Sequence, residues 1–90
     1  MSQHAIVHVL AVYDGETEEL VTLHRLERFD EAAFRDQFAA DAAIDLDLTD
    51  AYSVGPDDVP VVQRMLATEV QFHFERYGYL IEAARDDSDA

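Results

Sequence analysis

The longest run of helix-like hydrophobic spacing lies in the last third of the chain, over residues 59–84. Placed at helical spacing, its bulky apolar side chains fill an arc of roughly 200°, about twice the stripe of an ordinary surface helix. A helix of that kind must be covered on more than one side. The pattern therefore predicts a long C-terminal helix that packs across the rest of the domain and also contacts a second surface.

A second interpretation of this segment stays open. Residues 70–75 alternate between apolar and polar, which is the period of a half-buried strand, and Gly78 could then form the turn of a hairpin. The helix is favoured because the helical spacing continues through the disputed residues. A single glycine costs a helix only about 1 kcal/mol.

The first third of the chain predicts a β-hairpin. Residues 4–13 contain β-branched residues, no Gly or Pro, and apolar side chains on both alternating faces, as in a central strand. Asp14-Gly15 is a turn signal, and residues 20–28 are the expected partner strand. A helix beginning at Thr17 is the alternative.

A loop over residues 14–18 would place Tyr13 opposite Glu19, and His8 opposite His24. Apolar residues would then occur on both faces of the hairpin. We expect the helix to pack on the face with the smaller side chains: Ala5, Val7, Val9, Ala11, Val21 and Leu23.

The middle of the chain predicts a short amphipathic helix beginning near Asp30. Asp30 can accept hydrogen bonds from the first free amides, and Glu31 complements the positive end of the helix dipole. The expected inner stripe consists of Phe34, Phe38 and Ala42.

Residues 44–49 alternate strictly, which fits either an edge strand or an extended connection. Gly55-Pro56 is a breaker before a helix cap, and Pro60 falls in the first helical turn, where a missing amide costs nothing. Residues 85–90 form an acidic tail that we expect to fray. The chain therefore predicts one α+β domain with an N-terminal antiparallel hairpin, a short amphipathic helix, a candidate edge strand and a long C-terminal helix packed on the sheet.

The charge balance is the strongest global signal. The chain carries 20 Asp and Glu against six basic residues, all of them Arg, and its net charge is −14. This composition resembles that of proteins from extremely halophilic archaea, a class of proteome rather than a family. At ~1 M salt the screening length falls to about 3 Å, so exposed carboxylates hardly repel one another.

The N-terminus lacks a basic region followed by a long apolar run, and no window approaches about 18 uninterrupted apolar residues. We therefore expect a soluble, cytoplasmic protein that does not enter a membrane.

Two groups of side chains are candidates for chemistry. On the predicted helix, Glu69, His73 and Arg76 would be neighbours, so Glu69 could orient His73 as a general base, or the two could ligate a zinc-like ion. His8 and His24 would lie about 5 Å apart across the hairpin, close enough to share a metal. Ordinary polar packing is the alternative in both cases, so no catalytic residue and no cofactor is assigned.

Other chemistries are excluded by composition and spacing. The chain has no Cys, which rules out disulfides, thiolate catalysis and Cys-based zinc sites. Its three glycines form no phosphate-binding loop or dinucleotide fingerprint. Residues 45–56 lack the glycine and glutamate of a calcium EF-hand, and dispersed arginines argue against nucleic acid as a partner.

Two classes of function remain. The favoured one is a non-enzymatic protein-interaction or regulatory module that forms a homodimer, and the alternative is a metal- or small-molecule-binding protein that uses the histidine and carboxylate groups. The excess apolar arc predicts the interface candidates: Met65, Phe72, His73, Arg76 and Tyr79.

Overall fold

In the computed structural model, which describes residues 5–39 and 50–86, the chain is an α+β fold with a four-stranded antiparallel sheet. The spatial order of the strands is β2-β1-β4-β3. The elements in chain order are β1 (Ala5–Asp14), β2 (Leu20–Arg25), α1 (Glu31–Gln37), β3 (Tyr52–Ser53), α2 (Val59–Met65) and β4 (Tyr77–Asp86). A 3₁₀ turn at Pro56–Asp58 leads directly into α2.

The predicted long C-terminal helix is wrong. Helix α2 ends at Met65, after which Leu66 adopts an extended conformation with φ −85° and ψ 141°. The side chain of Gln63 fixes this exit, since it donates to the carbonyl of Thr68 at 3.1 Å and accepts from the N–H of Val70 at 3.2 Å. Residues 66–76 then connect α2 to β4.

Pairing between strands explains why the helical spacing of residues 59–84 gave a wrong prediction. β4 is aligned with β1 over ten antiparallel residue pairs, and its other edge pairs with β3. Gly78 lies within β4 opposite Tyr13, so the alternative hairpin with its turn at Gly78 is also wrong. Aromatic residues favour strands, and those of this region pack with ring centres 4.8 to 6.5 Å apart: Phe72, Phe74, Tyr77 and Tyr79.

The N-terminal hairpin is confirmed, with a register that differs from the predicted one. Leu10, rather than His8, lies opposite His24. Because the shift is two residues from Thr22 to Arg25, the side chains of that stretch stay on their predicted faces of the sheet. Between Val12 and Tyr13 the register changes by one residue, because Val12 lies opposite Thr22 whereas Tyr13 lies opposite Leu20.

The helices pack on the face of the sheet opposite to the one predicted. Leu10 and Val12 belong to the hydrophobic core cluster, whereas Val9 and Ala11 do not. The even-numbered residues of β1 and the odd-numbered residues of β4 carry the larger side chains, which fill the space beneath α1 and α2. This helix face contributes to a core formed by Leu10, Val12, Leu26, Phe34, Phe38, Tyr52, Val54, Val62, Met65, Leu66, Tyr79 and Ile81.

Local capping places the helices as the sequence predicts. Asp30 accepts the N–H of Ala33 at 3.1 Å, and Phe34 and Phe38 are buried. Before α2, the Asp58 carboxylate accepts the N–H of Gly55 at 2.8 Å. The side chain of Gln37 donates to the same carboxylate at 2.7 Å and so ties α1 to the start of α2.

Three remaining expectations concern the limits of the described chain. The candidate edge strand at residues 44–49 and the inner position Ala42 lie outside the described residues. β4 continues to Asp86, two residues into the predicted tail, and residues 87–90 lie outside the description.

Neither of the described helices has the length and apolar character needed to cross a membrane.

Candidate functional site

The second face of the sheet, which we call the open face, carries the odd-numbered residues of β1 and their neighbours. None of its β1 or β2 residues belongs to the core cluster that the described helices form with the sheet. Ala11 lies between Leu23 of β2 and Leu80 of β4, and Val9 lies between Arg25 and Glu82. The open face is thus apolar at its centre, with one charged residue on each side of Val9.

A hydrogen bond runs along the open face from Tyr13 to Glu82. The Tyr13 hydroxyl donates to Glu82 Oε2 at 2.7 Å, although Tyr13 pairs with Gly78 and Glu82 pairs with Val9. Glu82 is four residues along β4 from the residue opposite Tyr13, which is about 13 Å. The two side chains must therefore extend along the strands, over the row of residues between them. Ala11 lies in that row and is fully buried.

This hydrogen bond raises the pKa of Tyr13 above the ordinary value for tyrosine. The largest cause is the bond itself, which the neutral phenol donates to Glu82; partial desolvation and the negative charge of Glu82 act in the same direction. The bond therefore holds Tyr13 in its protonated form.

Most of the exposed apolar surface lies on β2. Four large apolar side chains of the described residues are exposed, and three of them are on this strand, each 51% or 52% exposed: Leu20, Val21 and Leu23. We call these three residues the β2 patch. Residues 20–26 contain no Asp or Glu, in a chain that has 20 of them among 90 residues. The one charged residue of this stretch is Arg25, and exposed apolar side chains that lie together are a candidate interaction surface.

The turn after β1 is held by Asp14 and Gly15. The Asp14 carboxylate accepts the N–H groups of Glu16 at 2.8 Å and Thr17 at 3.1 Å. The hydrogen bonds from Thr17 and Glu16, in that order, and then the charge of Arg76 lower the pKa of Asp14 below its usual range. A cationic neighbour and two backbone donors thus keep this carboxylate ionised.

Gly15 joins the turn to the segment that precedes β4. Its N–H donates to the carbonyl of Arg76 at 2.9 Å, and a Cβ at this position would lie 2.8 Å from the same oxygen. Only glycine permits that approach without movement of the backbone. Beside this contact, a cavity of about 400 Å³ lies between the turn and β4, with Tyr13, Glu18 and Ser53 among its lining residues.

The register separates the predicted histidine pair. His8 lies opposite Leu26, whose N–H donates to the His8 carbonyl at 2.9 Å. His24 is therefore the diagonal neighbour of His8 on the helix face, at about 7–8 Å. The His8 ring stacks on Phe29, with centres 4.1 Å apart and an interplanar angle of 7°.

The predicted group of Glu69, His73 and Arg76 lies in the connection between α2 and β4, so the helical spacing on which it was based does not occur. His73 Nδ1 is 3.7 Å from Glu75 Oε1, and the His73 N–H donates to the hydroxyl of Tyr79 at 2.8 Å. The Arg76 guanidinium lies 5.5 Å from the ring centre of Tyr77. Within residues 5–39 and 50–86, no three His, Asp or Glu side chains are grouped to hold a metal ion.

The five interface candidates divide into two groups. Met65 and Tyr79 are buried in the core of the chain itself, and Phe72 packs against that core. His73 and Arg76 are exposed. Sequence reasoning missed the β2 patch because it assigned Val21 and Leu23 to a face covered by a helix; the signal available was the absence of carboxylates in residues 20–26.

The chain belongs to a family described as a domain of unknown function, DUF7683, whose model matches residues 7–82. The match extends from β1 to β4 and includes both described helices. Neither a curated protein nor a solved structure matches the chain.

The bond between Tyr13 and Glu82 predicts a specific loss of stability at alkaline pH. Because the folded-state pKa of Tyr13 is raised, its contribution is complete below the unfolded pKa of about 10 and is lost as pH rises through the folded value. Chemical denaturation across this range should therefore show a steeper fall for the wild type than for Tyr13→Phe. Tyr77→Phe, which removes a hydroxyl from the helix face, is the control.

Absorbance titration of the phenolate band gives an independent reading. A component that titrates above the ordinary range of tyrosine should disappear in Tyr13→Phe and persist in Tyr77→Phe. If the component that Tyr13→Phe removes titrates in the ordinary range of tyrosine, this hydrogen bond does not form in solution.

Proposed function

We propose that the protein is a small non-enzymatic interaction module that binds another protein chain through the β2 patch and acts as a homodimer. The observation that carries this proposal is the half-exposure of three large apolar side chains on one edge strand: Leu20, Val21 and Leu23. An edge strand with such side chains is a template for association unless it is covered. A regulatory role of this kind needs a binding surface and no reactive group.

The distribution of charge supports a protein partner over a nucleic acid. The net charge of −14 repels phosphate groups at low salt. Residues 20–26 carry no acidic residue, so another acidic surface meets little repulsion at the patch. This favours a partner that binds by apolar contact and backbone pairing.

We further propose that the protein works in molar salt. The fold has a radius of gyration of 13.3 Å, and its 20 carboxylates must share that small surface with six arginines. In dilute buffer the screening length is comparable with the spacing of these charges, whereas at ~1 M salt it is about 3 Å. Salt also strengthens the burial of apolar surface when the anion is excluded from the protein.

The first prediction concerns salt. The free energy of unfolding should rise as KCl is raised from dilute buffer to ~1 M and above, because screening removes the repulsion among carboxylates. Circular dichroism during urea denaturation measures this free energy at each salt concentration. A value that is constant or falls with salt would contradict operation in molar salt while leaving the β2 patch untouched.

The second prediction concerns the patch. A photo-crosslinking amino acid placed at Leu20 in living cells should form a discrete adduct with a protein, either a second copy or another chain. Adding Val21→Asp should abolish the adduct, since a charge in the patch disfavours its burial.

Ile6→Asp is the matched control for this experiment. Ile6 is 53% exposed, as much as the patch residues, but lies at the start of β1. The adduct should therefore survive this substitution. Absence of any discrete adduct from Leu20, or equal loss with both Asp substitutions, would contradict an interaction through the patch.

A further inference from the structure

We infer that β2 pairs antiparallel with β2 of a second copy about a two-fold axis at Leu23, joining two four-stranded sheets into one of eight strands. The inference rests on the proposed function, because it names the partner of the β2 patch and the mode of contact. Its basis is the direction of the backbone groups along β2.

The hydrogen bond from the Leu26 N–H to the His8 carbonyl, 2.9 Å long, sets this direction. In an antiparallel pair, residues that bond their partner alternate with residues that do not. With Leu10 opposite His24, the bonded residues of this strand are Leu26, His24 and Thr22. Leu23 and Arg25 therefore direct their N–H and C=O groups away from β1, at the outer edge of the sheet.

These outward groups are self-complementary. A two-fold axis at Leu23 places it opposite Leu23 of the partner subunit, where the two residues exchange two backbone hydrogen bonds. The same register sets Thr22 opposite His24 of the partner subunit, within the regular part of β2; Val21, at the irregularity of the strand, comes near Arg25 of the partner subunit. The strands meet with apolar side chains at the axis and no carboxylate opposite another within β2.

The chemistry of this edge selects a second copy as the occupant. Exposed edges are usually protected by charged residues, prolines or short length. The opposite edge strand, β3, is only two residues long and is protected in this way. β2 has six residues, no Pro and no acid; its one charged residue, Arg25, lies at its end and its irregularity lies at Val21, so the stretch from Thr22 to His24 has none of these protections. Its acid-free edge allows two bodies of net charge −14 to meet where their repulsion is least.

The size of the contact sets its strength. Six residues extend about 20 Å, so edge pairing alone buries less than the ~800 Å² per partner of a standard stable interface. The dimer is therefore concentration-dependent. It strengthens with salt because screening weakens the repulsion between the two acidic subunits.

Cysteine crosslinking tests the register directly, because the natural chain has no Cys. In molar KCl, Leu23→Cys should form an intermolecular disulfide at least ten-fold faster than Ile6→Cys, a control of equal exposure. Paired antiparallel residues have Cα atoms about 5.5 Å apart, within disulfide range. A mixture of Thr22→Cys and His24→Cys, which the axis at Leu23 places opposite each other, should crosslink faster than either variant alone.

A backbone variant provides the second test. Leu23→Pro removes an N–H that points outward and leaves the ladder to β1 intact, which edge strands tolerate. Sedimentation velocity in molar KCl should show at least a ten-fold weaker dimer, with circular dichroism unchanged. If Leu23→Pro does not fold, the cysteine pair remains the deciding measurement.

Other outcomes separate this inference from the proposed function. Faster crosslinking of Leu80→Cys than of Leu23→Cys would indicate face-to-face packing of the sheets and would overturn edge pairing. A monomeric wild type at all concentrations in molar KCl, together with an adduct to another protein at Leu20, would overturn both edge pairing and the proposed homodimer, but would leave the binding of another protein through the β2 patch standing. Absence of both dimer and adduct would overturn all three.

Discussion

The antiparallel pairing of β4 with β1 is the constraint on which the rest of the structure depends. It extends over ten residue pairs and joins the last described segment of the chain to the first. The two strands form the centre of the sheet, with β2 on one side and β3 on the other. Once β4 takes this place, the ridge of Leu10, Val12, Tyr79 and Ile81 faces the helices.

The same pairing determines what remains available for binding. The two described helices lie on one face, where Phe34 and Met65 are buried against the sheet. On the other face the Tyr13–Glu82 hydrogen bond spans the centre, so the accessible apolar surface is displaced to β2. β2, which has no carboxylate, is also the longer of the two edge strands of the described sheet. The proposed association rests on these two properties.

Local chemistry made part of the fold predictable. The turn at Asp14-Gly15, the cap at Asp30 and the inward stripe of Phe34 and Phe38 follow from short-range rules, and the structure contains each of them. The C-terminal segment failed because its aromatic residues match a helical period by spacing alone, whereas strand pairing with β1 is a long-range property that periodicity does not report. The candidate group around His73 failed with that helix. The β2 edge became visible only when the register assigned directions to its backbone groups.

The most direct test of the central pairing is a nuclear Overhauser measurement between Hα protons of β1 and β4. Because β1 uses its even-numbered residues to bond β2, Leu10 and Ile81 form a non-hydrogen-bonded pair in which the two Hα protons face each other, as do Val12 and Tyr79. The account predicts strong Hα–Hα cross-peaks for both pairs. Their absence, with helical contacts between residues three apart continuing through residues 66–76, would contradict it.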